Sequence, residues 1–283
     1  MKLTYKTLAL MLSLIAFSCT VDNEDPIQPI IDEVADLIKI QDIDNGIHTI
    51  EIYSESGTLI TGYNNISLRI KNNTTDSYYE NFVITWNPMM QMTTMQHSCP
   101  KSLVTKNQNK NTIYEGFIIY QMTNSDGSGW SLTFDYTIDN VDYSVTSSIF
   151  VEQNISQNVS SFMANDGSRY IMALIKPNEP IIGINDMTVG LYKMENMMSF
   201  PEVSGYSILL DPRMPGMGNH SSSNNTDLYF NLVDNLYHGD LSLTMTGYWV
   251  LNLKLVNELD EILKGEDVTD ENSQSSLFLE LEF

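Results

Sequence analysis

Two windows of this sequence gather thioethers beside an imidazole. The first reads Pro88-Met89-Met90-Gln91-Met92-Thr93-Thr94-Met95-Gln96-His97-Ser98-Cys99-Pro100. The second reads Pro212-Arg213-Met214-Pro215-Gly216-Met217-Gly218-Asn219-His220. Thioether sulfur is a soft, neutral donor, and together with imidazole it suits Cu(I) better than zinc, calcium or magnesium. Such ligands need no deprotonated thiol, so they work where a cysteine site would oxidise. The candidate ligands are Met89, Met92, Met95 and His97 in the first window, and Met214, Met217 and His220 in the second. Proline and glycine place both windows on loops leaving a strand. Methionine is also a common core filler, and the isolated Met122, Met163, Met172, Met187 and Met245 read that way. Met90, Cys99 and the group Met194, Met197 and Met198 stay open between ligation and packing. His48 reads as a surface residue at the start of a strand, and His238 as a residue without a duplicated role.

The two windows belong to a longer repeat. His97 stands seventeen residues before Tyr114, and His220 seventeen before Tyr237. Tyr114-x-Gly116 matches Tyr237-x-Gly239, and Met122 and Met245 each follow their tyrosine by eight residues. Trp130 and Trp249 come next in each half. Upstream, Leu59-Ile60-x-Gly62 corresponds to Ile181-Ile182-Gly183, followed by Asn65-Ile66-Ser67-Leu68 and Asp186-Met187-Thr188-Val189. Landmarks at matching offsets imply a tandem duplication.

The elements that must position these groups are short and β-rich. Runs such as Asn81–Trp86, Thr112–Gln121, Ser131–Ile138 and Tyr143–Val151 show period two or continuous β-branched content. A second series runs from Tyr170–Ile175 to Leu277–Phe283. Asp139-Asn140 reads as a tight hairpin turn. Helical spacing is confined to Ile31, Val34, Leu37 and Ile38, and to Leu259–Leu263. The expected fold class is all-β, with two β-sandwiches in tandem: a signal peptide at 1–18, a lipidated tether at 19–45, a first sandwich at 46–153, a linker at 154–168 and a second sandwich at 169–283.

Met214-Pro215-Gly216-Met217-Gly218-Asn219-His220, with Tyr237-x-Gly239, Met245 and Gly247-x-Trp249, resembles the YtkA-like/FixH-like domain. The resemblance covers about 80–110 residues of the second half. The first half is looser: Met92-x-x-Met95-x-His97 keeps the sulfur and imidazole spacing, but the proline is missing and Cys99 is added. The resemblance implies an immunoglobulin-like sandwich in an exported or membrane-tethered protein, with copper binding or delivery and a copper-donor or acceptor protein as partner.

Other function classes find less in the sequence. No nucleophile elbow, zinc-protease helix motif, P-loop or dinucleotide fingerprint is present, so the chain reads as a non-enzyme. His97 and Cys99 have the wrong order and spacing for a blue-copper ligand loop, and the second half has no cysteine. The competing class is a non-metal interaction or adhesion module of tandem β-sandwiches. It is told apart by whether the sulfurs converge.

Fourteen basic against thirty-six acidic residues give a formal charge of −22. Nucleic acid is therefore an unfavourable partner, because its binding relies on Lys and Arg at phosphates. The first residues, MKLTYKTLALMLSLIAFSC, combine Lys2 and Lys6 with an apolar run too short to span a bilayer, the form of a secretory signal. Leu14-Ile15-Ala16-Phe17-Ser18-Cys19 resembles a bacterial lipobox in which Cys19 receives lipid. The alternative is a plain signal peptide with Cys19 in the discarded part. The acidic Thr20–Asp25 that follows resembles tags that send some Gram-negative lipoproteins to the outer cell face. The expected location is a membrane-anchored lipoprotein, periplasmic or on the outer-membrane surface. Replacing Cys19 by Ala is expected to release the protein from membranes or block its maturation. Unchanged membrane fractionation and mass would exclude the lipobox.

Overall fold

The computed structural model describes residues 32–283 apart from Asp126, and the stretch read as a signal peptide, 1–18, and Cys19 lie outside them. The chain is all-β. The first half contains β1 (Ile38–Asp44), β2 (His48–Ser54), β3 (Leu59–Ile60), β4 (Gly62–Asn72), β5 (Val83–Gln91) and β6 (Gln96–His97). It continues through β7 (Thr105–Lys106), β8 (Tyr114–Tyr120), β9 (Gly129–Ile138), β10 (Val141–Ile149) and β11 (Val151–Glu152). The second half contains β12 (Val159–Met163), β13 (Arg169–Lys176), β14 (Gly183–Met194), β15 (Ser207–Met214) and β16 (His220–Ser221). It ends with β17 (Leu228–Asn231), β18 (Leu236–Leu243), β19 (Tyr248–Val256), β20 (Ile262–Lys264) and β21 (Phe278–Glu282).

Side-chain alternation decides which face of each strand is buried. On β9, Trp130, Leu132, Phe134, Tyr136 and Ile138 are buried while the residues between them are not. On its neighbour β5 the buried set is Ile84, Trp86, Pro88 and Met90. A period of two is what a sheet with one dry face requires. The β9–β10 turn is Asp139-Asn140, both left-handed at φ 51° and 63°, as a two-residue turn between twisted strands needs.

The two halves repeat one topology. In the first, a five-stranded sheet β1-β2-β4-β8-β7 and a four-stranded sheet β10-β9-β5-β6 share one core. In the second, the orders β12-β13-β14-β18-β17 and β21-β19-β15-β16 recur around a core of their own. There, however, β17 also pairs with β15, so ten strands join in one continuous sheet. The registers agree too: Leu68 lies opposite Tyr114 as Val189 lies opposite Tyr237.

Side-chain hydrogen bonds repeat with the strands. The Asn64 carboxamide accepts from the Ile60 N–H at 2.8 Å and donates to the carbonyls of Ile60, Gly62 and Ile118. Asn185 accepts from the Ile181 N–H at 2.9 Å and donates to the carbonyls of Ile181, Gly183 and Leu241. The Tyr114 hydroxyl donates to the Glu80 carbonyl, and the Tyr237 hydroxyl to that of Val203. The glycine of each Tyr-x-Gly is required by crowding. A Cβ on Gly116 would lie 2.8 Å from the Leu103 carbonyl, and one on Gly239 2.8 Å from that of Thr226.

Residues 33–283 form one compact unit. The halves meet through Ile119 of β8 and Ile171, Ala173 and Tyr192 of β13 and β14, all buried, with Tyr63, Phe117, Met194 and Phe200 around them. Burial of this apolar area opposes hinge motion between the halves.

Three local expectations need correction. The stretch read as a linker, 154–168, contains β12, because Val159–Met163 pairs with β13. The stretch read as a tether, 19–45, contains β1, and ahead of it Val34 and Leu37 pack on Tyr53 and Ile113. The two helical spacings are not helices: residues 33–36 are a turn, and Leu259–Leu263 runs from a turn into β20.

On the outer face of β2, Glu51 is buried. Burial alone would raise its carboxyl, but Lys39, Tyr53 and Arg69 outweigh that and hold it at about 2. Tyr53, whose hydroxyl donates to Glu51, also packs with Val34 and Leu37 of the preceding segment.

Replacing Asn64 or Asn185 by Ala strands a backbone N–H and several carbonyls, and is expected to cost about 1–3 kcal/mol in urea unfolding. An unchanged midpoint for both variants would show that water satisfies those groups equally well.

Candidate metal centre

The first methionine window is a hairpin rather than a free loop. Met89 and Met90 belong to β5, and Met90 lies directly opposite His97, with Gln91 opposite Gln96. The Met92 N–H then donates to the Met95 carbonyl at 2.9 Å, closing the hairpin over Thr93-Thr94. Opposed residues of an antiparallel pair share a face, and successive residues alternate. Met90, Met92, Met95 and His97 therefore fall on one face, with Gln91 and Gln96 hydrogen-bonded to each other on the other. Met89 alternates away from this group, so the structure does not bring it to Met92, Met95 and His97. Met90 takes its place.

This face grades from dry to wet. Met90 is fully buried, Met92 is half-buried against the core, and Met95 is 47% exposed at the tip. His97 stands at the margin, 9% exposed, edge-on to Trp130 with ring centroids 5.6 Å apart. Its Nδ1 lies 2.8 Å from the Ser98 carbonyl. A carbonyl only accepts, so Nδ1 carries the proton and a neutral ring keeps its lone pair on Nε2. Among the described residues Nε2 has no hydrogen-bond partner. A histidine held by one nitrogen through a carbonyl, with the other free, is arranged as metal-ligating histidines are.

Cys99 lies two residues beyond His97 and is buried in the same core as Met90, Tyr120 and Trp130. Burial pushes its thiol well above the usual range, partly opposed by the Lys101 ammonium. That ammonium is occupied by the Trp86 carbonyl at 2.8 Å and Asn87 Oδ1 at 3.1 Å.

The second window has the same opposition with a different loop. Met214 pairs with His220, and Arg213 with Ser221. Between them Pro215–Met217 makes a single 3-10 turn, and Gly218 and Asn219 follow in left-handed conformations. Met214 packs into the core against Gly247, where an added Cβ would lie 3.1 Å from its Cε. Met217 is 59% exposed and His220 is exposed. Of the three residues expected to ligate here, the fold opposes Met214 and His220 and sets Met217 apart at the loop tip. Among the described residues no three His, Cys, Asp or Glu side chains gather in a metal-binding group.

His48 is not a surface residue. It is buried among Tyr79, Tyr136 and Tyr143, with Nδ1 3.2 Å from the Tyr136 hydroxyl and Nε2 3.2 Å from that of Tyr79. Burial lowers its pKa, disfavouring the charged ring. His238 is held by Asp234, with Nε2 2.9 Å from the carboxylate. Met90, left open between ligation and packing in the sequence, is the methionine that shares the face of Met92, Met95 and His97; Met90-x-Met92 and Met95-x-His97 on either side of two threonines carried the hairpin period.

A scan against protein-family models and a search of curated proteins each return no match for this chain.

Cys99 is expected to react slowly with a disulfide reagent in the native protein and fully in denaturant. Rapid native labelling would place it at the surface.

Proposed function

We propose that this chain is an exported, lipid-anchored copper-binding protein. In this reading two tandem immunoglobulin-like β-sandwich domains, related by duplication, hold or hand on Cu(I) through their Met/His hairpins. The observation that carries it is the first-half hairpin: Met90, Met92 and Met95 share a face with His97, whose Nε2 is left free. Neutral sulfur and nitrogen donors match a soft monovalent ion. The second half offers fewer convergent donors, with Met214 opposite His220 and Met217 on the adjoining turn. It therefore makes the weaker site. Cys19 supplies the membrane anchor, and a copper-donor or acceptor protein is the partner the activity calls for. The family likeness in Met214–His220 and Tyr237–Trp249 supports the same assignment.

Wild-type protein titrated anaerobically against a competing Cu(I) chelator is expected to take up to two equivalents. Met214→Leu, Met217→Leu and His220→Ala together are expected to remove one of them. Met92→Leu with Met95→Leu is expected to weaken the other. Equal stoichiometry and affinity in all three proteins would make these methionines packing residues and leave the interaction-module reading in place.

A further inference from the structure

The third methionine group of the sequence lies beside the first hairpin, although it comes from the other half of the chain. Beyond β14 the chain turns back through Glu195–Ser199. The Glu195 N–H donates to the Ser199 carbonyl at 3.1 Å, and the Met198 N–H to Asn196 Oδ1 at 2.8 Å. Met197 and Met198 occupy the two central positions of the Asn196–Ser199 turn and are 43% and 51% exposed. Turn centres favour Gly, Asn, Asp, Ser and Pro, and two half-exposed thioethers there gain nothing from turn chemistry and only part of what full burial would give.

The turn does not stand free. The Ser98 N–H, next to His97, donates to the Met197 carbonyl at 2.8 Å. Ser98 is itself fixed, its hydroxyl donating to the Pro88 carbonyl at 2.8 Å. One backbone hydrogen bond thus sets Met197 against the edge of β6 that β5 leaves unpaired. The buried contact of Ile119 with Ile171, Ala173 and Tyr192 holds the two halves in that position.

The internal repeat supplies a comparison. The Val203 N–H bonds the Leu191 carbonyl just as the Tyr79 N–H bonds that of Ile70, so the turns after β14 and β4 are equivalent. The first-half turn, Asn73-Thr74-Thr75-Asp76, is wholly polar and contains no sulfur. Of these two turns, only the one that hydrogen-bonds Ser98, the neighbour of the other half's His97, carries thioethers.

We propose that the first-half site is shared between the halves, with Met197 and Met198 completing a thioether set with Met92 and Met95 around His97 Nε2. The inference rests on the copper reading of that hairpin and adds ligands from the second half. It makes Cu(I) binding there depend on the contact between halves, so the first site is the tighter of the two and reports their association. The reaction is ligand addition alone, with no change of oxidation state.

The test uses the full chain carrying Met214→Leu, Met217→Leu and His220→Ala, so that only the first-half site is read. Adding Met197→Leu and Met198→Leu is expected to weaken Cu(I) binding at least about tenfold in anaerobic competition with a chelator. Leucine nearly conserves volume, so thermal unfolding is expected to stay close to the parent's. An unchanged affinity with copper still bound would overturn the shared site and leave the copper reading standing. Failure of the wild-type chain to bind Cu(I) would overturn both. X-ray absorption gives a second measure, comparing the parent with its Met197→Leu, Met198→Leu variant, each loaded with one equivalent. The variant is expected to lose at least one sulfur neighbour, and an identical sulfur shell in both would overturn the proposal.

Discussion

A buried indole N–H must find an acceptor, and in each half that requirement fixes the chain around the methionines. Trp130 is fully buried in the middle of the first core, and its Nε1 donates to the Met122 carbonyl at 2.8 Å. Trp249 donates to the Met245 carbonyl at 3.1 Å. Each bond ties the segment after an inner strand, β8 or β18, to the first residues of β9 or β19. Once Trp130 is set, its partner across the sheet is Met90, and its ring edges meet His97 and Tyr120. The face on which the thioethers and imidazole gather is therefore a consequence of core packing. A hairpin slipped by one residue would turn Met90 and His97 outward and bury Gln91 and Gln96.

On this shared framework the halves differ where a difference disturbs little. The Asn64 and Asn185 brackets, the tyrosine hydroxyl bonds and the crowded Tyr-x-Gly glycines lie inside the sheets, and all recur. The connections between opposed Met and His do not. Thr93-Thr94 closes a tight hairpin, whereas Pro215–Asn219 forms a longer turn that carries Met217 away from Met214. The turns after β4 and β14 differ likewise, one polar and one tipped with methionine. Loops tolerate such change because their backbone groups face water rather than a ladder.

What the sequence made legible follows the same division. Alternation along β5 and β9 and the left-handed Asp139-Asn140 turn are local signals, and the all-β class could be read from them. The offsets between Tyr114 and Tyr237, and between Gly62 and Gly183, marked the recurring topology because those residues make the recurring hydrogen bonds. Placing the first methionines on a loop failed because Pro88 was read as a strand breaker. It is accommodated in β5 opposite Leu132 of β9, at a position that β6, pairing only Met90 and Gln91, does not reach on the other side, so a missing N–H forfeits little. His48 was misplaced because three tyrosines distant in sequence enclose it. The docking of Met197 on Ser98 is equally nonlocal, and neither contact leaves a mark on nearby sequence.

Thioethers rather than acids or thiols are the donors that this chain has to spare. Its carboxylates are numerous, yet the buried Glu51 is committed to Lys39 and Arg69, and no acidic trio gathers among the described residues. Its described thiol is deep in the core, where burial disfavours the thiolate that a metal requires. Exposed ion pairs at its surface carboxylates are worth little in water. A soft cation drawn by the net charge of −22 meets sulfur and an imidazole already oriented by a backbone carbonyl. Neutral donors leave the bound ion its positive charge, and the acidic surface offsets that charge without any ligand having to ionise. Under the copper reading, capture and selectivity thus come from different parts of the molecule: charge over the whole surface concentrates cations, and the hairpin face retains the soft one.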